Sequence, residues 1–262
     1  MSSTFCFFIC LLATTIGAIS GIGGGVIIKP VLDAVSTLST ATISFLSGCT
    51  VLSMTIVSLI RSQNDDSKIE KRTATPLALG AAFGGILGKQ LFDVIRSAYD
   101  NSSVGVVQNV VMVFLTVFVL WFQIRRDKIK YLHVRNLAGC FIIGFVLGMI
   151  SAFLGIGGGP INLVVLYFFF SMDTKTAAVN SIYIIFFSQI TSLASTILTG
   201  SIPEFDVSYL VIMITGGILG GFMGRSVSRR LSNKHVDILF MLLLTVIIVI
   251  SCYNVYHFKH LV

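Results

Sequence analysis

The sequence predicts an all-α polytopic membrane protein of two homologous repeats, each with about four apolar segments and a Gly-broken first segment. Three observations predict it. Apolar stretches of about 18 or more residues recur along the chain, each long enough to cross a hydrocarbon core of roughly 30 Å. Charged residues make up 11% of the 262 residues and mean hydropathy is +0.94, where a soluble domain spends about a quarter of its residues on charge. The pentapeptide Gly-Ile-Gly-Gly-Gly occurs twice, at 21–25 and at 155–159. A soluble fold of this length could not hide so much apolar surface. Soluble enzymes, nucleic-acid binders and secreted disulfide scaffolds are thereby excluded.

In chain order, the first repeat places apolar segments at about 4–28, 40–60, 75–93 and 104–124. Its first twenty residues contain Ala18-Ile19-Ser20, which resembles a signal-peptidase site. No positive n-region precedes the run, and the stretch has an internal counterpart that cannot be cleaved, so it is expected to stay. The basic stretch 125–136, with Arg125, Arg126, Lys128 and Lys130, links the repeats. The second repeat has segments at about 137–171 (interrupted), 177–199, 208–224 and 236–256. The expected units are 1–124 and 137–262, and such duplication is the usual build of secondary transporters. Five cysteines form no ligand pair and read as small apolar side chains.

The glycines fall into two kinds. Gly80, Gly84, Gly85 and Gly88 match Gly216, Gly220, Gly221 and Gly224 in every spacing, and each set is followed by a cation, Lys89 or Arg225. Small residues at helical spacing let membrane helices approach closely. The Gly-Ile-Gly-Gly-Gly runs differ, because three consecutive glycines cost a helix roughly 1 kcal/mol each relative to alanine. Pro30 follows the first run and Pro160 the second. These read as helix breaks inside the membrane. Unpaired backbone there survives only when buried in protein or facing a polar cavity, and the N–H groups opening the next half-helix attract anions. No strand or acidic residue accompanies the glycines in the way a nucleotide loop requires.

Charge placement bears on topology. If every segment crossed once, Lys and Arg would divide nearly evenly between the two sides. If each broken segment enters and returns on one side, the second repeat is inverted. The loops 61–73, 125–136, 172–176 and 225–235 then share one side with fourteen cations, against Lys29, Lys89, Arg96 and Lys259 on the other. Two full crossings in place of each hairpin give the same parity.

With these residues in view, the chain resembles the sulfite exporter TauE/SafE family of membrane transporters. The resemblance rests on Gly21-Ile-Gly-Gly-Gly25 with Pro30 and Leu32, and on Gly155-Ile-Gly-Gly-Gly159 with Pro160, and it covers nearly the whole chain. The family's polar pair after each break is matched by Asn180-Ser181 in the second half. Only Ser47, preceded by Leu46, matches in the first. The resemblance implies movement of a small sulfur-containing anion, such as sulfite or an organosulfonate, across the cell membrane.

The expected binding residues are therefore Gly23, Gly24 and Gly25 with Gly157, Gly158 and Gly159 as backbone donors, and Ser47, Asn180 and Ser181 as side-chain donors. Lys29 is either a ligand cation or a snorkelling lysine, and Asn162 is either a ligand contact or a packing amide. Asp33 is the one carboxylate close to a break and the candidate for coupling. No catalytic residue set, metal cluster or cofactor motif is expected, nor a nucleic-acid partner, and the Gly-x-x-x-Gly faces, if exposed, would allow a homodimer. A lipid-phosphate translocase, or a membrane subunit of a larger complex, is the alternative reading.

Overall fold

A computed structural model of the protein describes residues 3–63, 69–99, 101–129, 131–134, 136–156 and 159–259. Among them are ten α-helices and no strand: α1 Ser3–Ser20, α2 Gly25–Val35, α3 Thr40–Ser62, α4 Lys71–Ala98, α5 Asn101–Arg125, α6 Leu137–Leu154, α7 Pro160–Phe170, α8 Thr174–Leu198, α9 Val207–Arg230 and α10 Asn233–Lys259. A short 3-10 turn, Arg126–Lys128, follows α5. Eight of the helices are long and apolar enough to cross a membrane, as a multi-pass membrane protein requires. The other two, α2 and α7, have 11 residues each and reach only about 16 Å.

The breaks lie where the glycines predict. After α1 the chain turns through Gly21 and Gly23, both at positive φ (79° and 77°), a backbone region that costs glycine nothing. It then returns along α1, since Ile28 and Leu32 of α2 share a cluster with Cys6, Cys10 and Ala13. The first element is thus a hairpin. The helix after the break runs through Pro30 to Val35, further than the expected end near 28. The proline removes only the bond to the Val26 carbonyl in the first turn, and its own carbonyl accepts from Asn254 Nδ2 at 2.8 Å. In the second break Gly155 caps α6 at φ 65°, and Pro160 opens α7 at the first helical position, where a missing N–H is harmless.

The glycine faces pack inside the chain. A Cβ added at Gly80, Gly84 or Gly88 of α4 would overlap the carbonyls of Phe141, Phe145 or Met149 of α6. On α9, Gly216, Gly220 and Gly224 lie against Phe7, Leu11 and Thr15 of α1. Each α1 residue stands 134 before its α6 counterpart, and each α9 glycine 136 after its α4 counterpart. Gly85 on Ser188 and Gly221 on Met54 repeat the pattern, as do Gly21 on Ala178 and Gly155 on Ser44. Both seams run in register with rising residue number, so α4 is parallel to α6 and α9 is parallel to α1. These faces are consumed within the chain, which corrects their expected availability for a homodimer.

Hydrogen bonds gather four loop regions at one end of the bundle. Arg229 donates to the Arg61 carbonyl at 2.5 Å, the Glu70 N–H donates to Asn180 Oδ1 at 3.0 Å, Arg126 reaches Thr174 at 3.3 Å, and Asn233 donates to Asp173 at 3.4 Å. This is the cation-rich end. Helices α5 and α10 run antiparallel between the ends, with Asn254 on Asn109 at the cation-poor end and Gln123 on Asp237 at the other.

Candidate functional site

The two half-helices begin without side-chain caps. Helices α3, α6, α8 and α9 are capped by Ser39, Asn136, Asp173 and Asp206, each accepting from an N–H of the first turn. Asp206, on an exposed loop, is held below the usual carboxylate range by the Ser208 N–H and hydroxyl. No side chain caps α2 at Gly24 or α7 at Gly159. The first bonds of α2 run from Ile27 and Ile28 to the Gly24 carbonyl, and that of α7 from Asn162 to Gly159. The N–H groups of Gly24, Gly25 and Val26, and those of Gly159 and Ile161, therefore stand ahead of their helical ladders.

The two breaks meet inside the bundle. A Cβ on Gly25 would overlap the Ile156 carbonyl oxygen and lie 3.0 Å from Val51 Cγ2. Gly24 packs instead on α1, with Thr14 Cα 3.0 Å from its built Cβ. Gly157 and Gly158 lie outside the described residues. Ser47 occupies the α3 face between Ser44, which meets Gly155, and Val51, which meets Gly25. Ser181 holds the matching place on α8, one turn from Ala178, which meets Gly21. Both serines are fully buried, and neither hydroxyl has a hydrogen-bond partner among the described residues. A buried unpaired hydroxyl costs roughly 1–3 kcal/mol, so two at matching positions demand a reason. Asn162 Oδ1 of α7 is likewise buried and unpartnered.

Other expected residues are engaged elsewhere. The Asn180 amide accepts from Glu70 N and donates to the Thr176 carbonyl at 2.8 Å, tying α4 to α8. Lys29 is only 2% exposed and does not snorkel. Its ammonium lies 2.9 Å from Asp33 Oδ2, with side-chain exposures of 3% and 1%. Asn109 of α5 approaches the same oxygen at 3.4 Å and accepts from Asn254 of α10 at 3.2 Å. Gln108 lines the small void beside this cluster together with Lys29 and Asp33. Sequence reasoning missed Gln108, Asn109 and Asn254. Their signal was present, as amides inside apolar segments, but nothing local joins three helices.

Two further features frame the site. A narrow cleft, with about 30 Å³ open to water-sized molecules, descends from the cation-poor end to Gly155, lined by Lys89, Arg96, Ser44, Gln189, Ser192 and Thr196 among others. Lys89 pairs with Asp93 at 2.7 Å. At the cation-rich end Arg126 bridges to Asp237 at 3.2 Å and stacks over the Tyr167 ring at 4.9 Å. Burial alone would lower the Arg126 guanidinium, but Asp237, together with Tyr167 and Tyr131, raises it above its ordinary value. No cluster of three or more metal-ligating side chains occurs among the described residues.

Comparison with known proteins agrees with this architecture. The chain is 22% identical over 268 aligned positions to the probable membrane transporter protein YunE of Bacillus subtilis (strain 168), covering 94% of each protein. No solved structure matches it. The family model described as sulfite exporter TauE/SafE matches residues 6–250. With nearly the whole helical bundle inside that match, the chain belongs to the sulfite exporter TauE/SafE family of membrane transporters.

Proposed function

We propose that the protein carries small sulfur-containing anions of the sulfite or organosulfonate type across the cell membrane, bound between α2 and α7. The observation that carries this reading is the uncapped start of α2 meeting the second break, Gly25 against the Ile156 carbonyl just before uncapped α7 opens, with unpartnered hydroxyls of Ser47 and Ser181 at matching places on α3 and α8. Free N–H groups and the positive ends of two helix dipoles form an anion site, and hydroxyl donors suit the oxygens of a sulfonate. The family's description names sulfite. The cleft lined by Lys89 and Arg96 gives an anion an approach from the cation-poor end.

Residues 1–124 and 137–262 are two copies of one unit, related by inversion across the membrane, with the cation-rich end cytoplasmic. The equivalent seams α4 on α6 and α9 on α1, with α1 and α6 running oppositely, support the inversion. The fourteen-to-four division of cations supports the orientation. Purified protein should be stabilised thermally by sulfite or an alkyl sulfonate and not by lipid phosphates. Stabilisation by lipid phosphates alone would replace this reading with the lipid-translocase one.

A further inference from the structure

We propose that the Lys29–Asp33 pair couples anion movement to a proton, Asp33 taking up the proton when Lys29 transfers to the anion; this rests on the anion reading above. A lysine and an aspartate with side-chain exposures of 3% and 1% lie in a half-helix inside a membrane protein, where ionisable groups are expensive and usually functional. Packing does not require them. The matching positions of α7, 134 residues on, are Leu163 and Tyr167, at 1% and 2% exposure. A half-helix of the same length thus packs there without an ion pair.

The surroundings leave the carboxylate incompletely satisfied. Asp33 Oδ2 binds Lys29, but Oδ1 is buried with no partner among the described residues. Gln108 Oε1 and Asn254 Oδ1 are orphaned too. Their amides cannot be flipped to relieve this, because Gln108 Nε2 donates to the Phe153 carbonyl at 2.7 Å and Asn254 Nδ2 to the Pro30 carbonyl at 2.8 Å. Three acceptor oxygens of the cluster thus have no donor within hydrogen-bond distance among the described residues, the Lys29 bond going to Asp33 Oδ2. A proton on Asp33 supplies one. Facing α2 are the thiols of Cys6 and Cys10 on α1, Ile43 and Leu46 on α3, Gln108 and Asn109 on α5, Leu154 on α6 and Asn254 on α10. Among the described residues, Tyr209 of α9 packs on the cluster that holds Ile28 and Leu32, and His257 stands one turn beyond Asn254 on α10.

Lys29 is placed to change partners. Helical side chains lean toward the helix N-terminus, yet this one reaches toward the C-terminus to meet Asp33. Released, its ammonium swings back over the first turn of α2, onto the face that Gly25 turns toward Ile156. At rest the buried pair is neutral. With a monovalent anion on Lys29 and a proton on the Asp33 carboxylate, the buried charge is again zero. The proton comes from water at the cation-poor end and leaves when the anion departs and Lys29 returns.

The test uses the full chain in lipid vesicles containing a pH-sensitive dye, with 2-hydroxyethanesulfonate as the anion because it does not titrate near neutrality. Wild-type uptake should bring in one proton per sulfonate. In Asp33→Asn the accompanying proton movement should fall at least tenfold. Sulfonate binding, read as a melting shift in detergent, should strengthen toward low pH in the wild type and be independent of pH in Asp33→Asn. Should the single variant fail to fold, the double variant Lys29→Met with Asp33→Asn removes both charges and should melt normally while moving no protons. Sulfonate uptake without protons in the wild type, or a wild-type proton ratio or pH-dependent shift in a folded variant, overturns the coupling and leaves the anion reading standing. A wild type that binds and moves neither sulfonate nor sulfite overturns both.

Discussion

Replacing Gly25 by alanine inserts one methyl group where the two breaks touch. That methyl would overlap the Ile156 carbonyl oxygen and press on Val51. Restoring an ordinary contact of about 3.5 Å forces the breaks apart by roughly 1 Å. Overpacking of this kind costs about 1–3 kcal/mol, and the better helix propensity of alanine returns up to about 1 kcal/mol. The net loss, between about 0 and 3 kcal/mol, leaves the protein folded. The site fares worse, because a helix N-terminus contributes up to about 2 kcal/mol to a partly buried anion, and losing that alignment weakens binding roughly 10- to 30-fold. The matched control is Gly84→Ala, whose methyl would overlap the Phe145 carbonyl on the α4–α6 seam away from the breaks. Sulfonate affinity and vesicle flux, normalised to folded protein, separate the two. Gly25→Ala within twofold of wild type, or an equal loss in Gly84→Ala, would refute the reasoning.

Three other outcomes follow from the same geometry. Ser47→Ala and Ser181→Ala should leave melting unchanged or slightly raised, since each deletes a buried hydroxyl without a partner, while sulfonate affinity falls about tenfold, the worth of a hydrogen bond to a charged group; loss of stability with normal affinity would make them packing residues. Arg126→Ala should cost about 1–2 kcal/mol in chemical unfolding, between the values for exposed and buried pairs, because its partner Asp237 retains 17% side-chain exposure. Accessibility tags in 89–103 and in 225–235 should label from opposite faces of the membrane, and labelling from one face would end the inverted arrangement.

Much of the fold was legible because membrane helices announce themselves locally. Length, hydropathy and three adjacent glycines each act within one segment, so the broken first segments and the other helices stand close to where the sequence places them. The glycine faces were legible as faces but not as to partner. Their spacing says that something packs closely, and only the assembled bundle shows that α4 takes α6 while α9 takes α1. The Lys29–Asp33 pair was half legible. Both residues attracted notice, and their spacing of four is that of a helical ion pair. Ending the segment near 28 left Asp33 outside the helix and concealed the pairing. Asn180 shows the opposite case: a motif position singled it out, and only the assembled bundle shows that its amide also holds the start of α4.

The two half-helices narrow what the unsatisfied groups can mean. They share a length and an uncapped start, so the anion role proposed for one N-terminus extends to the other. Their C-terminal halves are not alike. Next to α2, an ion pair and three amides close the cation-poor end of the α5–α10 seam. Beside α7 the corresponding closure is Arg126 with Asp237, and neither residue belongs to α7, which contributes only the Tyr167 ring under the guanidinium. Movement of α7 can therefore leave its ion pair behind, whereas movement of α2 carries Lys29 and Asp33 with it through an environment that tolerates no bare charge. A carrier that binds its anion through dipoles shared by both halves can thus concentrate its ionic chemistry in one, and the proposed coupling places that chemistry in the buried pair on α2.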